Sequence, residues 1–144
     1  MNEQIILRKA TIGDIDVVYG WQRLLETRKY FNNPSIPEYS EHLKWMSNAI
    51  DRNDIDFYII TNKEANVGLV RLNTQPNLCA TVSILISPDE YGKGFAKAAL
   101  KIIIQKYNNH IIQAYVHQAN LASQKLFESV GFMQLDKNHF EWRS

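Results

Sequence analysis

The chain has 144 residues, of which 45% are hydrophobic, 11% aromatic and 22% charged, a composition typical of a folded globular protein. Sixteen basic and fifteen acidic residues give a formal net charge of +1, so no overall field attracts nucleic acid or an anionic membrane. No run approaches the roughly 18 apolar residues of a membrane span, and we expect neither nucleic acid nor a membrane as a partner.

The organisation of the chain indicates one domain in the cytoplasm. No repeat or low-complexity linker divides the sequence, so residues 1–144 are predicted to form a single domain. Cys79 has no second cysteine with which to form an intrachain disulfide, and the first residues lack the basic and apolar regions of a signal peptide.

The N-terminal part is predicted to hold one strand, over 5–7, and two helices. Thr11 and Asp14 have the spacing of a capping box that opens the first helix, and Pro37 permits the start of the second after the break at 32–35. The apolar faces of the two helices are expected to consist of Val17, Val18, Trp21 and Leu24 or Leu25, and of Leu43, Met46, Ala49 and Ile50.

The remainder predicts a mixed α+β fold. Three β-rich runs, 57–61, 67–72 and 78–87, are separated by loops short enough for an antiparallel meander. A helix then carries an apolar stripe from Phe95 to Tyr107, and a strand follows over 110–116, which together predict a parallel crossover. A last helix over 121–130 is stopped by Gly131, and residues 132–142 can form terminal strands.

The segment Tyr91-Gly92-Lys93-Gly94-Phe95-Ala96 lies between a predicted strand and a predicted helix. Its two glycines let the backbone approach a ligand, and the first turn of the helix offers unpaired N–H groups and a partial positive charge. These features favour binding of a phosphate group, with Lys93 as an additional cation. A tight turn that needs glycines for geometry alone is the alternative.

Together with a second segment, this loop resembles the Gcn5-related N-acetyltransferase superfamily. The family's pyrophosphate loop, Gln/Arg-x-x-Gly-x-Gly/Ala, is matched at Gly94 and Ala96 but not at Tyr91. The family's later segment has the form Asn-x-x-Ser-x-x-Leu-Tyr followed by Gly-Phe. It is matched by Asn120, Ser123, Leu126, Gly131 and Phe132, with Phe127 in place of the tyrosine.

The resemblance implies a mixed central sheet, mostly antiparallel, with a splayed parallel pair and flanking helices. It also implies acetyl-CoA as the co-substrate, without a metal, lying in the gap between the splayed strands. The residues that would bind it by this resemblance are Ile84, Leu85, Ile86, Tyr91, Gly92, Lys93, Gly94, Phe95, Ala96, Asn120, Ser123 and Phe127.

The expected reaction is acetyl transfer to an amine, but two catalytic groups frequent in the family are absent. Phe127 has no phenol to protonate the leaving thiolate, and the region 80–83 lacks the family's central-strand glutamate. His117 or Tyr115 could replace the acid. We therefore predict His42 and His117 as candidate catalytic residues, with His42 as a solvated helix residue being the alternative for that position.

The N-terminal region contains Trp21-Gln22-Arg23, then Arg28 and Ile36, then Glu41-His42-Leu43-Lys44-Trp45. In this pattern it resembles the subgroup that acetylates nucleotide-linked 4-amino-4,6-dideoxy sugars in pseudaminic acid synthesis. By this resemblance Trp21, Arg23, His42 and Trp45 would bind the acceptor, with aromatic rings for stacking and Arg23, Arg28 or Lys44 for a diphosphate. Core positions for both tryptophans are the alternative. A protein N-terminus as acceptor, a non-catalytic acyl-CoA-binding module and a homodimer are also left open.

Overall fold

Within residues 4–144, which the computed structural model describes, seven strands form one sheet in the order β1-β2-β3-β4-β5-β7-β6. The strands are β1 (Ile5–Lys9), β2 (Ile55–Asn62), β3 (Ala65–Gln75), β4 (Cys79–Ile86), β5 (Ile111–Tyr115), β6 (Met133–Asp136) and β7 (His139–Trp142). The helices are α1 (Ile15–Gln22), α2 (Leu25–Arg28), α3 (Tyr39–Asp51), α4 (Phe95–Lys106) and α5 (Leu121–Ser129).

The sheet is antiparallel throughout except where β4 lies beside β5. That parallel pair is joined over three residues of each strand, and the pairing ends at Thr81 and Gln113. Beyond this point β4 continues to Ile86 in register with β3 alone. The predicted α+β fold, with a mixed sheet and a splayed parallel pair, is therefore confirmed.

The start of the helical region follows the predicted capping box. The side chain of Thr11 accepts a hydrogen bond from the N–H of Gly13, and the Asp14 carboxylate accepts one from the N–H of Thr11 at 2.8 Å. Arg8 donates to both oxygens of Asp14, and this pairing lowers the pKa of that carboxyl. A turn of 3₁₀ helix over Ile12–Asp14 then leads into α1.

The first two helices differ from prediction at their apolar faces. Leu24 adopts extended backbone, so α1 ends before it, and Leu25 in α2 is 77% exposed. In α3 the predicted Met46 and Ala49 are buried, but the predicted Leu43 is exposed and its neighbour His42 is buried instead. The burial of His42 depends on a hydrogen bond to the Ile15 carbonyl and on contacts with neighbouring aromatic rings. Apolar periodicity does not reveal such contacts, which explains the difference.

Two cores lie on the two faces of the sheet. The larger core packs α4 and α5 against residues such as Tyr58, Val70 and Phe140. The smaller core packs α1 and α3 against one half of the opposite face, and it is formed by Ala10, Ile15, Val18, Trp21, Met46, Ala49, Ile55, Phe57, Ile59 and Leu69.

The second half of β4 is left partly open on both faces. On this central strand every residue from Ser83 to Ile86 is only half-buried, although Val82 is buried. An exposed stretch in the middle of a sheet is where a ligand can reach the backbone.

No helix within residues 4–144 is long and apolar enough to cross a membrane.

Gly68 is a position of close backbone approach beside this strand. It follows Val67, which bulges from the β2–β3 pairing, and it lies opposite Ile86. A Cβ atom at residue 68 would lie 2.3 Å from the carbonyl oxygen of Leu85, a backbone atom that cannot move away alone. Glycine is therefore required here for space.

We predict that Gly68→Ala lowers the free energy of unfolding by about 1–3 kcal/mol, because the added carbon displaces β4. Gly20→Ala is the matched control. Gly20 lies in α1 with no atom within 4 Å of an added Cβ, so this change should stabilise by roughly 0.5–1 kcal/mol. Urea unfolding of both variants tests this, and equal stability of the two would contradict the steric argument.

Candidate active site

The candidate site is built around the gap between β4 and β5. The N–H of Ser87 donates to the carbonyl of Val67 at 2.8 Å, on the β3 side. Because backbone groups in a strand alternate in direction, those of Ile84 and Ile86 point away from β3 and into the gap. They have no strand partner there, since the pairing with β5 has already ended.

Leu85 is directed differently from the sequence expectation. It was expected to offer free backbone groups in the gap, but the same alternation points its N–H and C=O at β3, in register with Leu69. The Leu85 side chain packs against the smaller core. The backbone groups that line the gap thus come from alternate residues of β4.

The loop that follows β4 has the backbone conformation of an anion cradle. Gly92 and Gly94 have φ angles of +79° and +81°, in the left-handed region that favours glycine. No atom lies within 4 Å of the position that a Cβ of Gly92 would occupy, so the space beside the Gly92 backbone is open. Gly94 precedes the 12-residue helix α4, whose first N–H groups are unpaired within the helix.

The other residues of this loop divide into exposed and buried. Tyr91 is exposed, and partial burial of its ring together with the Glu26 carboxylate raises the pKa of the phenol. The Nζ of Lys93 lies 2.7 Å from Glu90, so the cation is shared with a neighbouring carboxylate rather than free. Phe95 is buried in the larger core and Ala96 is half-buried.

Asn120, the N-cap of α5, and Phe127 within that helix both have structural roles. Asn120 caps α5, since its Oδ1 accepts a hydrogen bond from the N–H of Ser123 at 3.2 Å. The Phe127 ring is buried against Phe132, at 5.0 Å between centroids, and against Phe140. Contacts of these residues with a cofactor stay predictions.

His117 is exposed at the end of β5, with one ring nitrogen engaged. Its Nδ1 accepts a hydrogen bond from the N–H of Ala119 at 3.0 Å, so the neutral ring carries its proton on Nε2. The ring lies 5.6 Å from that of Tyr30, in the segment between α2 and α3. A role as base would require release of Nδ1 from this bond.

His42 is buried rather than solvated. Its Nε2 lies 3.1 Å from the carbonyl oxygen of Ile15, which can only accept, so Nε2 donates and Nδ1 keeps its lone pair. Burial lowers the pKa of His42, and the ring is therefore neutral at neutral pH. A neutral imidazole with an unprotonated nitrogen is chemically able to act as a base.

A row of aromatic rings extends from α1 across α3 to β2. Each ring in the row has its centroid between 5.2 and 6.1 Å from the next. Trp45 is 40% exposed, whereas Trp21 is 7% exposed and lies in the smaller core. The alternative that the tryptophans are core residues therefore holds for Trp21 but not for Trp45. In order, the rings are Tyr39, Tyr19, His42, Trp45 and Phe57.

Of the basic residues expected near the acceptor, Arg28 is engaged by backbone carbonyls. Each of its three guanidinium nitrogens donates to a carbonyl, those of Gln22, Asn33 and Pro34, so three of its five N–H groups are used to hold the loop before α3 to the end of α1. Arg23 is exposed, with its guanidinium 5.7 Å from the Tyr19 ring centre.

Arg71 was not among the residues selected from the sequence. It lies on β3 with its guanidinium 5.1 Å from the Trp45 ring centre and 3.5 Å from the hydroxyl of Ser83. The sequence signal is a single arginine within the apolar run Val67-Gly68-Leu69-Val70-Arg71-Leu72.

Within residues 4–144, no group of three or more His, Cys, Asp or Glu side chains is arranged to hold a metal ion.

Comparison with known proteins identifies the family. Residues 4–133 match the model of the acetyltransferase (GNAT) domain. The chain belongs to this family. The predicted Gcn5-related acetyltransferase domain is therefore confirmed, together with acetyl-CoA as its co-substrate.

Two relatives in sequence are each 26% identical. Spermidine N(1)-acetyltransferase of Vibrio cholerae matches 93% of the chain and 82% of its own length. Uncharacterized protein MJ1062 of Methanocaldococcus jannaschii matches 98% of the chain but 31% of its own length. The chain thus spans about a third of that longer protein.

Solved structures show the same fold. The V. cholerae spermidine N-acetyltransferase bound to CoA and spermine has a TM-score of 0.84 at 23% identity, over 93% of this chain and 83% of that one. The microcin C7 self-immunity acetyltransferase MccE, bound to acetyl-CoA and AMP, has a TM-score of 0.79 at 18% identity, over 99% and 93%.

We predict that Gly94→Trp abolishes coenzyme A binding, because the indole fills the space next to the first turn of α4 and the positive φ is strained for a side chain. Gly94→Asn is the matched control, since asparagine tolerates this backbone region with a much smaller side chain. Calorimetric titration with coenzyme A, after thermal unfolding has shown both variants folded, is the measurement. Unchanged affinity in Gly94→Trp would refute the assignment of the loop.

We predict that Phe127→Leu lowers stability by about 1–3 kcal/mol, because the ring packs in the core, while most activity of the folded protein remains. No proton comes from this side chain, so the chemical step does not depend on it. Thermal unfolding and kcat at saturating acetyl-CoA test the two statements. A loss of kcat above about 10²-fold would show that the ring positions the thioester.

Proposed function

We propose that this chain transfers the acetyl group of acetyl-CoA to a primary amine, the 4-amino group of a nucleotide-linked amino-deoxy sugar. The observation that carries the transferase proposal is the gap itself. The backbone of Ile84 and Ile86 faces it without a strand partner, and β4 leads on to the Gly92–Gly94 loop at the start of α4. An acyl chain in the gap would pair with the free backbone groups of β4, and a pyrophosphate on the loop would pair with the free N–H groups at the start of α4.

In the proposed reaction the amine nitrogen attacks the thioester carbonyl, the carbon–sulfur bond breaks, the nitrogen loses a proton and the thiolate gains one. An N–H of Ile84 or Ile86 would stabilise the oxyanion, a contribution of roughly 10² to 10³ in kcat in other enzymes. We propose His42 as the base, through its unprotonated Nδ1, with His117 as the second candidate. A sugar amine is less basic than a lysine amine, so less assistance is needed.

The acceptor proposal is supported by the aromatic row and by the positive charge beside it. Trp45 and Tyr39 are exposed rings on which a base or sugar can stack, and Arg71 lies against Trp45. In MccE the same fold is seen with AMP bound. A polyamine, which the Vibrio relative acetylates, would meet the positive charge of Arg71 on this face.

The wider biological context remains part of the proposal. We propose that residues 1–144 act as a single domain in the cytoplasm, where acetyl-CoA is available. A homodimer stays a prediction from the sequence. A protein N-terminus as acceptor and a non-catalytic acyl-CoA module are the competing functions, and both are outcomes of the following test.

The test is acetyl-CoA-dependent release of free thiol with three acceptors: a UDP-linked 4-amino-4,6-dideoxy-N-acetylhexosamine, spermidine and N-terminal peptides. We expect release with the sugar nucleotide. Release with peptides or spermidine alone would refute the acceptor, and tight coenzyme A binding without turnover on any amine would favour the binding module.

We predict that His42→Gln lowers kcat by about 10² to 10⁴ if His42 is the base, whereas the fold is kept because the glutamine amide can still donate to the Ile15 carbonyl. His117→Asn is the parallel variant. A bell-shaped pH profile that loses its lower limb only in His42→Gln would support this assignment, and unchanged kcat would contradict it.

A further inference from the structure

Arg71 lies at the centre of the sheet, on the face that carries the aromatic row. It is in register with Phe57 of β2 on one side and with Ser83 of β4 on the other. Phe57 belongs to the smaller core, and Trp45 of α3 covers the guanidinium at 5.1 Å. The arginine therefore enters the site from the strand next to the cofactor gap.

The charge of Arg71 has no anionic partner among the residues that the structure describes. Its Nε is buried and makes no hydrogen bond, and its one polar contact is with the Ser83 hydroxyl at 3.5 Å. Burial lowers the pKa of the guanidinium without a carboxylate to compensate. Removing a cation from water without pairing it is destabilising, so the fold alone gives no reason for this residue.

Stacking on Trp45 satisfies the guanidinium only in part. The flat face of an arginine can rest on an aromatic ring while its edge still presents N–H groups that match a phosphate or a carboxylate. In Arg71 this edge makes one polar contact, with the Ser83 hydroxyl at 3.5 Å. This is the arrangement of a preformed oxyanion site, in which the ring sets the orientation and the ligand supplies the charge.

The position next to Ser83 separates this cation from the cofactor's phosphates. Ile84, whose backbone faces the gap, is the next residue along β4, so a group bound to Arg71 would lie beside the acyl end of the gap. The glycine loop begins only after Ile86 and a turn over Pro88–Glu90. At about 3.3 Å per residue, Ser83 is roughly 10 Å from the end of β4, and the loop is further still.

We propose that Arg71 binds an oxyanion of the acceptor, a nucleotide phosphate or a carboxylate, and thereby selects an anionic amine over a polyamine. This inference rests on the proposed acetyltransferase function and adds the residue that determines specificity. Ser83 is the second contact, since its hydroxyl already lies at the guanidinium and is half-exposed on the open part of β4.

The experiment compares Arg71→Met with the wild type. Methionine keeps the stem that lies over Trp45 and removes the charge, and Arg71→Lys keeps the charge without the planar fork. Arg52→Met is the matched control, because Arg52 is exposed and paired with Asp54 at 2.7 Å away from this face. The probes, titrated into the coenzyme A-saturated protein by calorimetry, are UDP, uridine, glutamate and spermidine.

We expect UDP to bind at least tenfold more tightly than uridine, and Arg71→Met to remove that difference while uridine and coenzyme A affinities stay unchanged. Arg71→Lys should retain part of the difference in affinity between UDP and uridine. The thermal midpoint of Arg71→Met should equal or exceed that of the wild type, because a half-buried charge without an anionic partner has been removed. Glutamate binding with the same dependence on Arg71 would also support the proposal and would identify a carboxylate as the anion.

Two outcomes of the binding measurements would overturn the inference, and one kinetic outcome would as well. One is equal binding of UDP and uridine together with no Arg71-dependent glutamate binding. The other is a large loss of stability in Arg71→Met with unchanged ligand affinities, which would make Arg71 a structural residue of the Trp45 contact. Binding is measured without turnover, so Arg71-dependent UDP binding stands even if the sugar is not acetylated. Acetylation of the sugar by Arg71→Met with unchanged KM refutes this inference alone.

Discussion

The site depends on the early end of one strand pairing. β4 and β5 are hydrogen-bonded over three residues of each strand, and then β4 continues with β3 alone. Unpaired backbone groups inside a protein are unfavourable, so a strand with free N–H and C=O groups at the centre of a sheet indicates that a ligand completes it. The glycine loop lies beyond the end of that same strand, at the start of α4. A single topological feature thus brings together the backbone groups that we propose for the acyl group and the helix end that we propose for the pyrophosphate.

The acceptor face is organised by charge and aromatic surface rather than by the backbone. Helix α3 brings Trp45 to the sheet, and β3 brings Arg71 to Trp45. Arg28 fixes the loop before α3 through three carbonyl groups, which makes it a positioning residue for this wall. Arg28 is therefore used for structure, whereas Arg71 has no anionic partner among the described residues. This difference in hydrogen bonding, and not the overall charge of +1, is what points to an anionic acceptor.

Much of the fold is predictable because its signals are local. The capping box at Thr11 and Asp14, the three β-rich runs and the apolar stripe of α4 all correspond to observed elements. The loop at Gly92 and Gly94 is visible as well, since positive φ angles favour glycine.

What escaped prediction depends on contacts between distant segments. Burial of His42 follows from the Ile15 carbonyl on another helix, and the engagement of Arg28 follows from carbonyls of a loop. Trp21 and Trp45 are alike in sequence but face the core and the open side. The direction of the Leu85 backbone is set by the register with β3. Arg71 becomes a candidate binding residue only because no carboxylate among the described residues pairs with it.

The most direct test of this account is amide hydrogen exchange along β4, measured by NMR with and without acetyl-CoA. Leu85 serves as an internal control, because its N–H is already directed at β3. We predict that acetyl-CoA slows exchange at Ile84 or Ile86 by an order of magnitude or more, with little change at Leu85. Saturation with acetyl-CoA without any protection of these two amides would contradict the assignment of the gap as the cofactor site.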